Sequence, residues 1–388
     1  HCETHTPFGA FLGSLQQFSA TELAVLATKA AIAKSQLMPT DIDQAIFGNV
    51  LQTSLDAPYL ARHVALKSGL RQKTTALTLN RLCGSGFQSI LTAAEQILLG
   101  QAHLVVAGGT ENMSSAPYVM YGFRNGYRLG QGQAFDSLQS ALTDSYNGLA
   151  MGITAEKLAQ QFQISREESD AFSFASQQKV KRAYDQNLFE EEIVPIEIAR
   201  KKEKYVMCED EHPRPQTTMK SLSALMPVFD PNGIVTAGSS SGIVDGAACV
   251  VVASKHEVNR RGIPYLGKII SHGISGCDPD YMGLGPVEAS QKALLCCGKT
   301  FKDMDLIDIN EAFAPQTLSV IKRLGLTQDK VNVNGGAIAI GHPLAASGTR
   351  ITLHALLELK RRNKRYALVT ACIGGGQGIA LVLENDQF

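Results

Sequence analysis

The sequence is most informative at first through what it lacks. No apolar run approaches the ~18 residues needed to span a bilayer, which argues against a membrane-spanning helix. The charges cancel, with 36 Lys+Arg against 36 Asp+Glu, so nothing electrostatic recommends nucleic acid or an anionic membrane as a general partner. None of the eight cysteines forms a C-x-x-C pair, and the four-ligand spacings of zinc sites are missing, so no metal is expected. Several cysteines sit in apolar runs, such as GAACVVVA around Cys249. That usage suits a reducing compartment and argues against a disulfide framework. No secretory signal opens the sequence. It starts at His1 rather than Met, which reads as a trimmed, processed or tagged N-terminus. Low-complexity tracts and flexible linkers are also missing.

What is present reads as a well-packed globular protein, 44% hydrophobic and 19% charged over 388 residues, long enough for two or three core-forming units. One unit occurs twice. Residues 19–49 give an amphipathic helical run, a turn at Pro39 and a short strand ending at Asn49. Residues 286–310 give a helix, DMD where the first copy has DID, and a strand ending at Asn310. Each copy continues to a Gly-rich turn opening a helix, LCGSGFQS at Cys83 and GHPLAASG at His342. Each then runs through a strand into glycines, HLVVAGG (103–109) and YALVTACIGGG (366–376). Matching order and spacing predict two similar α/β halves.

The helix after Cys83 places Phe87, Ile90, Leu91, Ala94, Ile97 and Leu98 on one stripe and stops at Gly100. Its counterpart TRITLHALLEL (349–359) is apolar on nearly all sides, so it is expected between layers. Residues 116–241 differ from both halves and read as an inserted, partly irregular subdomain. They contain the capping box Ser165-x-x-Glu168 and the charge runs EEE (190–192), KKEK (201–204) and EDEHPRPQTT (209–218), expected to be a solvated surface.

Four clusters carry chemistry. Cys83, in NRLCGSG, lies at a strand-to-helix turn, where amide groups and the helix dipole are expected to favour a thiolate; an inert buried thiol fits the motif equally well. His342, in NGGAIAIGHPLAASG, also lies at a helix start, which disfavours imidazolium and leaves a neutral base; a satisfied core histidine is the alternative. Cys372 sits in ACIGGGQG. A strand follows these glycines, so the dinucleotide fingerprint lacks its helix, and a tight hairpin bringing backbone N–H groups to a ligand fits better. Asn310, in NEAFAPQ, is a neutral donor at a strand end, or simply a turn-forming asparagine. Two cysteines, a histidine and an asparagine suit Claisen chemistry on thioesters. That reaction needs a nucleophile to hold an acyl group, a second acid/base for an α-carbon, and donors for two developing oxyanions.

NRLCGSGFQS, GSSSGIVDGA, NEAFAPQ, NGGAIAIGHPLAASG and CIGGGQG, in that order over nearly the whole chain, resemble the signatures of the thiolases. DEHPRPQTT, SGCDPDYMGLGPV and KDMDLIDINEAFAPQ resemble the mitochondrial-type 3-ketoacyl-CoA thiolases and their bacterial relatives. The resemblance implies a five-layer αβαβα fold. It divides the chain into an N-terminal half (1–115 plus 242–262), an inserted loop domain (116–241) and a C-terminal half (263–388), in a homotetramer built as a dimer of dimers. It makes Cys83 the acylated nucleophile, His342 its activator and Cys372 the shuttle for the α-proton. Asn310, through a bound water, and His342 would form one oxyanion hole, and the backbone amides of Cys83 and Gly374 the other. Ser241 would lie near the pantetheine of CoA, Arg214 and Ser221 toward its nucleotide end, and Met151, Phe229, Met282 and Phe313 along the acyl tunnel. CoA and acyl-CoA thioesters are substrates, and no permanently bound cofactor is implied.

Three positions depart from the family pattern: His5 in HTPFG replaces an arginine, Ala345 a glycine, and Ser239 an asparagine. The last two could shift a loop without removing a catalytic group. CGSG after the nucleophile, and Ala150-Met151 where biosynthetic members often carry His-Met, favour 3-ketoacyl-CoAs longer than acetoacetyl-CoA. Other readings are an acetoacetyl-CoA-specific acetyltransferase, a ketoacyl-carrier-protein synthase, a nucleotide-dependent oxidoreductase and a non-catalytic acyl-CoA-binding protein. Cys372 counts against the synthase, and the missing strand–GxGxxG–helix context against the oxidoreductase. The expected compartment is the bacterial cytoplasm, with the mitochondrial matrix as the alternative.

Overall fold

The computed structural model describes residues 3–200 and 203–387. Cys2, and Lys201 and Lys202 of the KKEK run, lie outside the described residues. The N-terminal half comprises β1 (Glu3–His5), α1 (Ala20–Lys34), β2 (Gln44–Gly48), α2 (Leu60–Lys67), β3 (Thr75–Leu79), α3 (Ser85–Leu98) and β4 (Leu104–Glu111). Residues 116–241 follow, with α4 (Met151–Gln161), α5 (Arg166–Asp185) and the hairpin β5 (Ile196–Arg200) to β6 (Glu203–Met207). The chain then returns through β7 (Val244–Ala253). It ends with β8 (Gly267–Gly276), α6 (Gly285–Cys296), β9 (Leu306–Ile309), α7 (Ala314–Leu324), α8 (Leu344–Arg361), β10 (Tyr366–Ile373) and β11 (Gln377–Asn385).

The two sheets share one plan. The first runs β1-β7-β4-β2-β3 and the second β8-β11-β10-β9, with antiparallel pairs first and a parallel pair after them in both. The place of β3 is taken in the second half by a single parallel bridge from Ile307 to Val331. The duplication seen in the motif spacing is therefore a duplication of topology. Helices α3 and α8 lie between the sheets, α1 and α2 cover the outer face of the first, and α6 and α7 cover the second. This makes five layers, and every residue from Leu344 to Leu359 of α8 is buried, as its apolar periodicity predicts.

Local chemistry explains the helix boundaries. Ser19 caps α1 and Ser165 caps α5, each in a full capping box with the glutamate three residues on. Gly100, in the left-handed region at φ 70°, closes the turn after α3. The apolar stripe of α3 is shorter than its sequence suggests. Phe87, Ile90 and Leu91 are buried, but Leu98 is 86% exposed.

The charge run at 190–192 also needs correction. Glu190 and Glu191 are exposed, but Glu192 is fully buried, where His354 Nδ1 lies 2.6 Å from one carboxylate oxygen and His5 Nε2 3.7 Å from the other. A buried carboxylate persists only with such partners. His5, the departure at the N-terminal motif, thus sits in β1 paired with Ala248 and facing Glu192.

Candidate active site

The turn that presents Cys83 is held on all sides. Leu82 adopts φ 46°, a left-handed conformation costing a non-glycine residue roughly 1–2 kcal/mol. The cost is met by local hydrogen bonds. Leu82 N–H donates to Asn80 Oδ1 (2.8 Å), Arg81 N–H to Ser85 Oγ (2.9 Å), and Ser85 Oγ–H to the Leu82 carbonyl (2.7 Å). Cys83 emerges just before α3 and remains partly accessible.

His342 comes from the other half, two residues before α8. Its helix start packs so tightly on β4 that a Cβ at Gly109 would lie 1.7 Å from the Ala345 carbonyl oxygen, so this position admits only glycine. Ala345, a departure from the family pattern, is fully buried, and its N–H donates to Glu111 Oε2 at 3.1 Å. The Ser239 departure is likewise absorbed: Ser239 Oγ accepts from Thr236 N–H at 2.9 Å.

The His342 ring is buried between two partners. Nδ1 lies 2.6 Å from Ser347 Oγ and Nε2 3.3 Å from Asn310 Nδ2. Burial alone lowers the imidazole to about 4, so it is neutral at physiological pH. The imidazole is neutral as expected, but desolvation rather than the helix terminus is the cause. Asn310 follows β9, and its N–H donates to the Thr370 carbonyl at 2.9 Å, tying it to β10.

At the far end of β10, Cys372 opens a hairpin to β11 through Gly374, Gly375 and Gly376, the last two at φ 79° and 83°. A hairpin was expected here, and these angles explain the glycines. Burial pushes Cys83 up to about 11, opposed by the Gly374 amide and by its own. The expectation of a thiolate at rest is therefore corrected: desolvation outweighs the helix start. Cys372 is raised well above the ordinary thiol range, first by burial and then by Cys83 and Cys277 nearby. The resting site holds neutral thiols beside a neutral imidazole. No direct Cys83–His342 hydrogen bond forms among the described residues, although Cys83 packs against the cluster of Leu51, Met113, Leu138 and Leu344, the last of these two positions past the histidine.

Met151, Phe229, Met282 and Phe313 gather with Cys372, Ala155, Val235 and Ala312 in one apolar cluster. The Phe229 and Phe313 rings meet edge to face at 5.9 Å. Ser241 borders this cluster, its N–H donating to the Ala312 carbonyl at 2.9 Å. Arg214 and Ser221 are exposed elsewhere on the inserted segment. Arg214 is anchored through its N–H to Gln177 Oε1 (2.9 Å), and Ser221 lies in a short capped helix. Both belong to the outer surface.

Two residues of the site were not singled out in the sequence. Ser347 is the partner of His342 Nδ1, and its only signal was the serine five residues after the histidine in GHPLAASG. Glu111 is fully buried and accepts from Asn49 Nδ2, Val50 N–H, Leu51 N–H and Ala345 N–H, joining the two halves behind Cys83. Burial pushes it up to about 8, and Asp245 nearby adds to the rise, while the donated backbone hydrogen bonds oppose it.

Family models now decide the matter. The thiolase N-terminal domain matches residues 3–256 and the thiolase C-terminal domain residues 263–385. The chain belongs to the thiolase family. It is 50% identical over 381 residues to the mitochondrial 3-ketoacyl-CoA thiolase of Bos taurus, covering 98% of this chain and 96% of that protein. It is 46% identical over 382 residues to an acetyl-CoA acetyltransferase of Escherichia coli, covering 98% and 97%. The crystal structure of human mitochondrial 3-ketoacyl-CoA thiolase superposes with a TM-score of 0.98 at 50% identity, over 99% of this chain and 98% of that one. The same human enzyme in complex with CoA gives 0.96. The five-layer thiolase fold expected from the motifs is the fold observed.

Proposed function

We propose that this thiolase cleaves 3-ketoacyl-CoA with CoA to acetyl-CoA and a shortened acyl-CoA, and runs the reverse Claisen condensation, through an acyl-Cys83 intermediate. The observation that carries this reading is the convergence of Cys83 from one half with His342, Asn310, Cys372 and the Gly374 amide from the other. His342 Nε2 takes the Cys83 proton as sulfur attacks the ketone carbonyl, since a resting thiol pushed up to about 11 needs a base at the moment of attack. The Cys83 and Gly374 amides stabilise the oxyanion on the acyl carbon, and Asn310 (through a bound water) with His342 stabilises the enolate oxygen of acetyl-CoA. Cys372 returns a proton to the α-carbon. Its high pKa keeps it a proton donor rather than a competing nucleophile.

CoA is a substrate in this scheme, and no resident cofactor or metal takes part. The inserted segment 116–241 holds CoA, with Ser241 at the pantetheine and Arg214 and Ser221 toward the nucleotide. A homotetramer is supported by the family resemblance and by β3, an edge strand whose Leu77 is 47% exposed and open to a second copy. The compartment is the bacterial cytoplasm or, by the mitochondrial relatives, the mitochondrial matrix; no helix among the described residues is long and apolar enough to cross a membrane.

Substrates longer than acetoacetyl-CoA are accepted, placing the enzyme in fatty-acid degradation. Ala150 leaves room at the start of α4, next to the apolar cluster that holds Met151 and Met282, and each buried CH₂ contributes ~0.8 kcal/mol. Measuring kcat/KM for C4, C6, C8 and C10 3-ketoacyl-CoAs tests this. A fall of more than ~10²-fold from C4 to C6 shows steric exclusion and makes the enzyme an acetoacetyl-CoA thiolase.

A further inference from the structure

Beside Asn310, with no cysteine in its lining, lies a small pocket with about 10 Å³ open to the centre of a water molecule, which is room for about one. Asp308 and Asn310 lie two apart along the chain at the end of β9 and so face the same side, and Ser347 and Arg350 lie three apart on α8. All four line the cavity, closed by Phe8 and Ile340.

Asn332 and Ser347 of its lining are hydrogen-bonded, but two other polar atoms are unmatched. Asn310 Oδ1 and Arg350 Nε are buried without a hydrogen-bond partner. Arg350 is only 4% exposed, yet among the described residues its guanidinium makes neither a hydrogen bond nor an ion pair; the Phe189 ring lies 5.5 Å from the guanidinium carbon, and Glu192, Asp210 and Asp308 are near enough to feel its charge. No hydrogen bond reaches the Asp308 carboxylate from the described residues either; burial raises its pKa, and His354 and Arg350 nearby oppose the rise only in part. Unmatched buried groups of this kind are expensive, and a water that accepts from Arg350 Nε and donates to Asn310 Oδ1 matches both, its second hydrogen remaining free for the half-buried Asp308 carboxylate.

We infer that Arg350, acting through a water in this cavity, is a positioning residue that fixes the orientation of the Asn310 amide. With Oδ1 held toward the cavity, Nδ2 faces His342 Nε2 and the bound water through which Asn310 serves the reacting oxygen. A rotated amide would turn its carbonyl oxygen to the developing oxyanion and present an acceptor to Nε2, selecting the imidazole tautomer that cannot take the Cys83 proton. The inference rests on the role proposed above for Asn310, and it extends the catalytic apparatus to a residue that touches neither substrate nor cysteine.

A double-mutant cycle tests it. Asn310→Ala, Arg350→Met and the pair are compared for kcat, KM and thermal midpoint, with Arg350→Lys as the conservative control. Arg350→Met is expected to lower kcat ~10-fold or more with KM within ~2-fold, Arg350→Lys to recover most of it, and the double variant to be no slower than Asn310→Ala alone. A folded Arg350→Met enzyme with kcat within ~2-fold of wild type, or a double variant showing the product of both losses, overturns the inference while leaving Asn310 its role. Asn310→Ala at wild-type kcat removes the oxyanion role itself, and this inference with it. Where Arg350→Met does not fold, the isosteric Asp308→Asn enters the same cycle. A several-fold loss that vanishes in the Asn310→Ala background supports the inference, and an unchanged or independent kcat overturns it.

Discussion

Ser347→Ala removes the partner of His342 Nδ1 and so probes the tautomer of His342. A neutral imidazole has one donor and one acceptor nitrogen, and His342 is neutral because burial lowers it to about 4. Asn310 Nδ2, 3.3 Å from Nε2, can only donate, so Nε2 is the acceptor and Nδ1 carries the hydrogen. Ser347 Oγ, at 2.6 Å, accepts that hydrogen, and its own hydroxyl points to the Pro343 carbonyl at 3.4 Å. Removing Oγ leaves a buried Nδ1–H without a partner, at ~1–3 kcal/mol, unless the ring changes tautomer and brings Nε2–H against the Asn310 donor. Either route lowers the fraction of ring able to accept the Cys83 proton, by ~5- to 150-fold on the same energy scale. Single-turnover acylation by acetyl-CoA, acid-quenched and read as acylated Cys83 peptide, measures that fraction. KM should hardly move, because Ser347 is buried behind the ring. A Ser347→Ala enzyme that acylates within ~2-fold of wild type refutes the tautomer assignment and with it the role of Nε2 as base.

The depressed histidine also sets a pH dependence. The acid limb of kcat/KM should fall near pH 4 rather than near the ordinary histidine value of 6.5. In stability the sign is fixed by linkage: between 6.5 and about 4 the unfolded chain binds a proton that the native site refuses. Stability is therefore lost as pH falls through that window, by up to ~1.4 kcal/mol per pH unit from this residue, and urea unfolding of His342→Asn should show a correspondingly shallower slope. Cys372→Ala should still form the acyl enzyme slowly, yet lose at least ~10² in turnover and cease to exchange the methyl protons of acetyl-CoA with solvent, as followed by NMR in deuterium oxide. Exchange at a near wild-type rate would give the proton shuttle to another group.

The sequence revealed what depends on local pattern. The repeated order of helix, strand and glycine turn was enough to expect two alike halves, and the two sheets follow one strand order. The all-round apolarity of 349–359 placed α8 between layers, and Ser165 announced a helix start. What escaped depends on contacts between distant residues. Glu111 and Ala345 meet across 234 positions, and nothing near TEN in the sequence points to that partner. Glu192 sits in a run of three glutamates that reads as solvated surface, but the fold carries it to His354, 162 positions on. The Cys83 thiol was misread for the same reason. A helix start is visible in the sequence, whereas the desolvation that overrides it comes from residues of both halves closing around the sulfur.

The central claim is that Cys83 carries the acyl group. Incubating the enzyme with acetyl-CoA, quenching in acid and mapping peptides by mass spectrometry tests it directly. Acetyl on Cys83, on no other cysteine, and lost together with activity in Cys83→Ala is the expected result. Acetyl on Cys372 instead, or an active Cys83→Ala enzyme, contradicts the account.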